Sequence, residues 1–283
     1  MRLAALLLLA VLPLTSAAEI RVLRDLPYRD PVVTPDAYAK ERCKLDLTLP
    51  EDASSKGFAT LVWFHGGGLK AGSKDSPTEH CGAIGASFAR AGIAFVAADY
   101  RLSPKGRYPD YVDDAAAAFT WAVRNIATYG GDPRKVFIGG HSAGGYLALL
   151  VGFDPSRLRP HGLSLGDVAG IAQVSGQVFT HYIVREERGI SKYKVIADEA
   201  APCFHIQRAL PPVFTVYAQK DMLGRAEENQ FMVAMLKSAG HAENYSLRVD
   251  DRDHGSVGHN LRNDDDPARL AFVNFIRKTS SNR

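Results

Sequence analysis

The stretch Val136-Phe137-Ile138-Gly139-Gly140-His141-Ser142-Ala143-Gly144-Gly145-Tyr146-Leu147-Ala148-Leu149-Leu150-Val151 decides how this chain is read. Val136–Ile138 is a short apolar run of strand type that breaks off in two glycines. Ala143–Val151 reads as helix. Between them, Gly140-His141-Ser142-Ala143-Gly144 fits Gly-x-Ser-x-Gly. A sharp turn from strand into helix strains the backbone of the central serine and crowds its flanks, so small neighbours are required. Glycine relieves that crowding. Such a turn lifts a hydroxyl to the edge of a sheet and points a helix N-terminus at it. Ser142 is therefore the candidate nucleophile. The alternative, a structural glycine-rich turn that merely opens a helix, suits the flanking strand and helix less well.

Working outward, apolar runs of strand length alternate with helix candidates. Arg42–Leu49 carries Leu45, Leu47 and Leu49 at period two, the pattern of a half-buried strand. Thr60–Phe64 is solidly apolar and ends in Gly66-Gly67-Gly68. Ile93–Ala98 ends at Asp99-Tyr100. Val168–Val174 and Val213–Tyr217 complete the central set, with a last strand near Tyr245–Val249. Runs apolar on both faces suit a parallel sheet buried between helix layers. Helices are predicted over Thr78–Ala91, Asp110–Thr128, Ala143–Val151, Ala226–Ala239 and Pro267–Lys278. The acidic triplet Asp264–Asp266 precedes the last of these and reads as helix-start charge rather than as a metal site. The alternation predicts an α/β fold: a mostly parallel, doubly wound sheet with helices on both faces and its chemistry beyond the carboxyl ends of the strands. The least periodic stretch, Gln177–Gln207, reads as an insertion over that end.

The chain opens Met1-Arg2-Leu3, runs apolar to Leu14 and leaves through Thr15-Ser16-Ala17-Ala18. A charged start, short apolar core and small-residue exit predict a signal peptide over residues 1–18, with Glu19 opening a single domain over 19–283 and a secreted or periplasmic location. An uncleaved anchor is the alternative. No later stretch has the length and apolarity of a membrane span. The net charge of +3, with both signs spread along the chain, calls for no nucleic-acid partner. Oligomeric state is not readable. Three cysteines, Cys43, Cys81 and Cys203, allow at most one internal disulfide and lack the paired spacing of a zinc site. A buried free thiol is the simplest reading for each.

His65-Gly66-Gly67-Gly68 closes the strand Thr60–Phe64. Glycines let backbone N–H groups approach an oxygen that becomes negative during acyl transfer. The residue after the nucleophile, Ala143, supplies another N–H. In order along the chain stand His65-Gly66-Gly67-Gly68, Asp99-Tyr100-Arg101-Leu102-Ser103-Pro104, Gly130-Gly131-Asp132-Pro133 and Gly140-His141-Ser142-Ala143-Gly144-Gly145. This combination resembles the hormone-sensitive-lipase-like branch of the α/β-hydrolases and the related bacterial esterase/lipase and feruloyl-esterase-type proteins. The likeness is dense from Leu61 to Leu150 and thinner beyond. It implies the α/β-hydrolase fold, an oxyanion hole of Gly67, Gly68 and Ala143, and carboxylic ester hydrolysis without metal or organic cofactor. One departure matters. The short segment from Glu19 to about Arg42 leaves little room for the helical cap of many lipase-like relatives. A more open site suits small acyl esters, or esters on bulky carbohydrate or aromatic groups.

In this fold the acid follows the serine in the chain and the histidine comes last. Asp221, just beyond Val213–Tyr217, resembles the family's acid loop; Glu227 and Glu228 are alternatives inside the next predicted helix. His254, soon after the last strand, is the favoured base and His259 its rival. His141 is expected to pack the turn rather than share the chemistry. The expected function is a serine carboxylesterase on a small-molecule or carbohydrate ester. An amidase, peptidase or formamidase with the same triad is the second reading. A non-catalytic binding module is a third, disfavoured because Ser142, Asp221 and His254 are all present.

Overall fold

Apolar runs buried on both faces dominate the molecule's centre. The computed structural model describes residues 20–51, apart from 31, 33 and 35, and residues 56–283. The expected signal peptide, residues 1–18, lies outside these. In chain order the elements are β1 (Val22–Pro27), α1 (Ala37–Arg42), β2 (Lys44–Thr48), β3 (Phe58–Phe64), α2 (Cys81–Arg90), β4 (Ala94–Ala98), α3 (Asp110–Asn125), β5 (Gly131–His141), α4 (Ala143–Phe153), β6 (Ile171–Val174), α5 (Tyr182–Glu187), β7 (Val213–Lys220), α6 (Arg225–Ser238), β8 (Asn244–Asp253), α7 (His254–His259) and α8 (Pro267–Ser280). Short 3₁₀ turns join several of them.

The strands form one eight-stranded sheet in the order β1-β2-β4-β3-β5-β6-β7-β8. The β1–β2 and β2–β4 pairs are antiparallel and the rest are parallel. Alternate residues of one strand feed opposite cores. Val62 and Phe64 pack with α3 and α4, whereas Leu61 and Trp63 pack with α2 and α8. Each large side chain so buried contributes roughly 1.5–3 kcal/mol relative to exposure. Helix α4 is buried at every position, so it presents no polar face at all.

Two expectations are corrected here. β2 is not half-buried: Asp46 and Thr48 are covered as fully as Leu45 and Leu47. The Lys74 ammonium, 2.9 Å from Asp46, compensates the buried charge. The helix expected from Thr78 begins at Cys81, because His80 holds a left-handed φ of 54° and the helix cannot extend back through it. The turn thus left at residues 78–80 carries Glu79 toward the carboxyl ends of the strands. β1, α1, α5 and α7 had not been expected. Among the described residues no helix is long and apolar enough to cross a membrane.

Candidate active site

Ser142 sits between β5 and α4 with φ 55° and ψ −114°, a conformation that L residues rarely adopt. The neighbouring chain holds it there. The Ser142 amide donates to the Val174 carbonyl (2.8 Å), and its carbonyl accepts from the Tyr146 amide (3.0 Å). The crossing is tight: a Cβ on Gly144 would lie 2.0 Å from the Phe64 carbonyl oxygen, and one on Gly140 would lie 2.4 Å from the Gly144 backbone. Only glycine fits at either position.

The loop at the end of β7 brings Asp221, and the start of α7 brings His254. Asp221 follows β7 directly, because that strand runs on to Lys220. His254 Nδ1 lies 2.6 Å from Asp221 Oδ1 and its Nε2 lies 2.8 Å from Ser142 Oγ. A carboxylate accepts, so Nδ1 carries the proton and Nε2 presents a lone pair to the serine hydroxyl. Burial pushes the Asp221 carboxyl up, but bonds from His254 and Ser175, the nearby imidazole charge and the Met222 amide outweigh it. The carboxyl is held below the usual carboxylate range. Asp221 Oδ2 accepts from the Ser175 hydroxyl at 2.5 Å. Ser175, buried at the end of β6, was not found from the sequence, where a lone serine after a strand carries no signal.

The competing side chains take other partners. His259 ends α7, with its ring 5.4 Å from His141 and 5.3 Å from His80. Glu228 lies on α6 and accepts from the Val178 amide. His141 packs beneath the turn as expected, and its Nε2 lies 2.7 Å from the His254 carbonyl oxygen, so it also holds the loop of the imidazole.

These groups face a cleft of about 280 Å³ whose lining includes Gly67, Gly68, Glu79, Ser142, Tyr182, Arg225, His254 and His259. Gly67 and Gly68 both have positive φ, and a Cβ on Gly68 would meet the Tyr182 hydroxyl at 2.3 Å. Ala143, buried, opens α4 directly behind Ser142. The glycine loop is braced from below. The Tyr100 hydroxyl donates to the carbonyls of His65 (2.9 Å) and Gly66 (3.1 Å), and the Gly66 amide donates to Glu79 Oε2 (2.9 Å). No residue of the Leu69–Asp75 loop lines the cleft, whereas Glu79 does. From Gln177–Gln207 come His181 and Tyr182. All three cysteines are buried and unpaired, and burial pushes the Cys43 thiol up to about 12 and that of Cys203 to about 11.

A mostly parallel sheet that brings a strained serine, a carboxylate and an imidazole together from the ends of β5, β7 and β8 has the architecture of the α/β-hydrolase fold. Among known families, the BD-FAE family model matches residues 45–161. Esterase LipC of Mycobacterium tuberculosis is 25% identical over 229 residues, covering 75% of this chain and 56% of LipC. Carboxylesterase NlhH of the same organism is 38% identical over 93 residues, covering 32% of this chain and 28% of NlhH. This chain spans from about a quarter to just over half the length of such curated relatives. Among solved structures, a truncated carbohydrate esterase from gut microbiota superposes with a TM-score of 0.74 at 17% identity, covering 94% of this chain and 99% of that one. Thermogutta terrifontis esterase Est2 gives 0.69 at 23% identity, covering 94% of each chain. At these identities the structural likeness establishes the fold.

Proposed function

We propose that the protein is a serine carboxylesterase acting on small-acyl, aryl or carbohydrate-linked esters. The observation that carries this reading is the unbroken line from Asp221 through His254 to Ser142 Oγ at the floor of an open cleft. His254 takes the Ser142 proton as the oxygen attacks the ester carbonyl. The N–H groups of Gly67, Gly68 and Ala143 receive the developing oxyanion. The alcohol leaves with the proton from His254. Water then repeats the step on the acyl-enzyme and releases the acid. Gln177–Gln207 acts as an insertion over the site, contributing His181 and Tyr182 to its wall. The relatives' names, esterases and carboxylesterases, support the same chemistry. The short apolar start at residues 1–18 supports export, for which N-terminal sequencing of secreted material should return Glu19 first.

Short p-nitrophenyl esters test the activity. Wild type should hydrolyse them, and Ser142→Ala should lose about five to six orders of magnitude in kcat. A fluorophosphonate probe should label wild type and leave Ser142→Ala unlabelled. An unchanged rate in Ser142→Ala removes the assignment, and turnover of peptides or formamides alone removes the ester reading. Acetylated xylan, feruloyl esters and simple aryl esters, assayed side by side, rank the alcohol and acyl classes.

A further inference from the structure

We infer that Glu79, His141 and His259 form a binding site for one divalent transition-metal ion of the zinc and cobalt class, set in the wall of the cleft beside Ser142. Each of the three offers a ligand atom, and those atoms all lie within 4.8 Å of one another. The proposed serine chemistry passes no proton through this cluster, although His141 and Glu79 brace the loops of His254 and Gly66.

The proton on His141 decides what the cluster can hold. Its Nε2 faces the His254 carbonyl oxygen at 2.7 Å, and a carbonyl can only accept. Nε2 therefore carries the proton and Nδ1 presents a lone pair. That Nδ1 is buried and has no hydrogen-bond partner, on a residue only 6% exposed. An orphaned acceptor of this kind needs a donor or a cation.

What faces that lone pair is a further acceptor. Glu79 Oε2 and His141 Nδ1 lie 3.1 and 3.4 Å from the point where a Cβ on Gly66 would sit, so the missing side chain leaves a cradle between them. Two imidazoles and a carboxylate thus converge on one point. A zinc-class ion binds this donor set with a coordination position left open.

The outer partners fit as well. A metal-bound histidine commonly donates its other N–H to a backbone carbonyl, which fixes its tautomer and aims its lone pair. The His254 carbonyl performs that service for His141. The Gly66 amide, 2.9 Å from Glu79 Oε2, orients the carboxylate in the same way.

The test reads binding rather than turnover, so it stands apart from the esterase assignment. Metal-stripped protein is titrated with Co²⁺, followed by its visible d–d absorption, and with Zn²⁺ in competition with a chromophoric chelator. One equivalent should bind and give the intense bands of a low-coordinate cobalt site. Glu79→Gln, which keeps an oxygen for the Gly66 amide, and His259→Gln should each weaken Zn²⁺ binding by more than the 10–100-fold expected from loss of an outer partner alone. His161→Gln, on a distant 3₁₀ turn, should leave it unchanged. Circular dichroism melts establish that both cluster variants are folded. The inference is overturned if wild type binds Zn²⁺ no more tightly than Glu79→Gln, or if Co²⁺ shows only the weak bands of an exposed octahedral ion. Either result would leave the cluster bridged by water.

Discussion

At the scale of single residues, Asp221, the proposed triad acid, is the most informative group to alter. Asp221 fixes the His254 tautomer by accepting from Nδ1, and its other oxygen is held by Ser175. Asp221→Asn keeps the size but offers an amide to Nδ1, which favours the wrong tautomer. A loss of about 10⁴ in kcat at neutral pH is expected, with the fold retained. Ser175→Ala removes one bond to a charged group and should cost roughly 1.5–3 kcal/mol. Steady-state kinetics would show this as a fall in kcat with KM little changed, and an unaltered kcat would mean that Ser175 only packs. Chain order and loop position pointed to Ser142, Asp221 and His254, which the fold brings together. Ser175 was not, because its partner lies 46 positions away and a serine after an apolar run signals nothing.

His181 belongs to the same scale. It is buried, its Nδ1 accepts from the Ile183 amide at the start of α5, and burial, aided by Arg225 and Arg185, holds its imidazole well below the ordinary range. Folded His181 therefore stays neutral where the unfolded residue, with a value near 6.5, takes a proton. The unfolded state binds more protons as pH falls below that value, so stability is lost on acidification, with a limiting slope of about 1.4 kcal/mol per pH unit for one group. His181→Asn keeps a capping acceptor but cannot titrate. Urea midpoints at pH 7 and pH 5 should differ less in this variant than in wild type; an equal difference would exclude His181 as a source of the slope.

Among elements, the turn from β5 into α4 governs whether the site exists. Gly144→Ala would place a methyl 2.0 Å from the Phe64 carbonyl oxygen, which belongs to a neighbouring strand and cannot swing aside. Gly82→Ala, in the first turn of α2, meets nothing within 4 Å and removes the conformational cost of glycine. The same chemical change should thus act with opposite signs. Gly144→Ala should lose activity and lower Tm by several degrees, whereas Gly82→Ala should raise stability by about 0.5 kcal/mol with activity intact. Differential scanning calorimetry of the two variants decides it. The parallel strands were legible as elements because burial on both faces leaves unbroken apolar runs. β1 was not: Val22–Pro27 lies at the sheet edge, interleaves Arg24 and Asp25 with partly covered leucines, and follows no apolar run. The short helices α5 and α7 escaped for a related reason, since six residues do not establish a 3.6-residue period.

Across the whole molecule, one buried carboxylate ties three distant stretches together. Asp114 on α3 is completely buried and receives Arg29 from the N-terminal segment (2.8 Å) and Arg101 from the loop after β4 (2.8 Å). Arg101 also reaches Asp36 and Asp110. Asp99-Tyr100-Arg101, read in the sequence only as part of a family likeness, thereby acquires a physical meaning. Tyr100 braces the glycine loop from below while Arg101 anchors the same turn to α3. Removing the Arg101 guanidinium takes two bonds from a charge that water cannot reach and leaves Arg29 as its remaining ion-pair partner. Arg101→Met should destabilise by about 3 kcal/mol, the low end for a broken buried pair because Arg29 stays in place, which for a chain of this size lowers Tm by several degrees. Asp114→Leu added to Arg101→Met removes the under-compensated charge and should recover part of that loss, since a buried ion pair replaced by apolar side chains is often neutral. Melts of the single and double variants decide between the two origins of the effect. A double variant no more stable than Arg101→Met would mean that the arginine acts through packing and its bonds to Asp36 and Asp110, not by compensating the buried carboxylate.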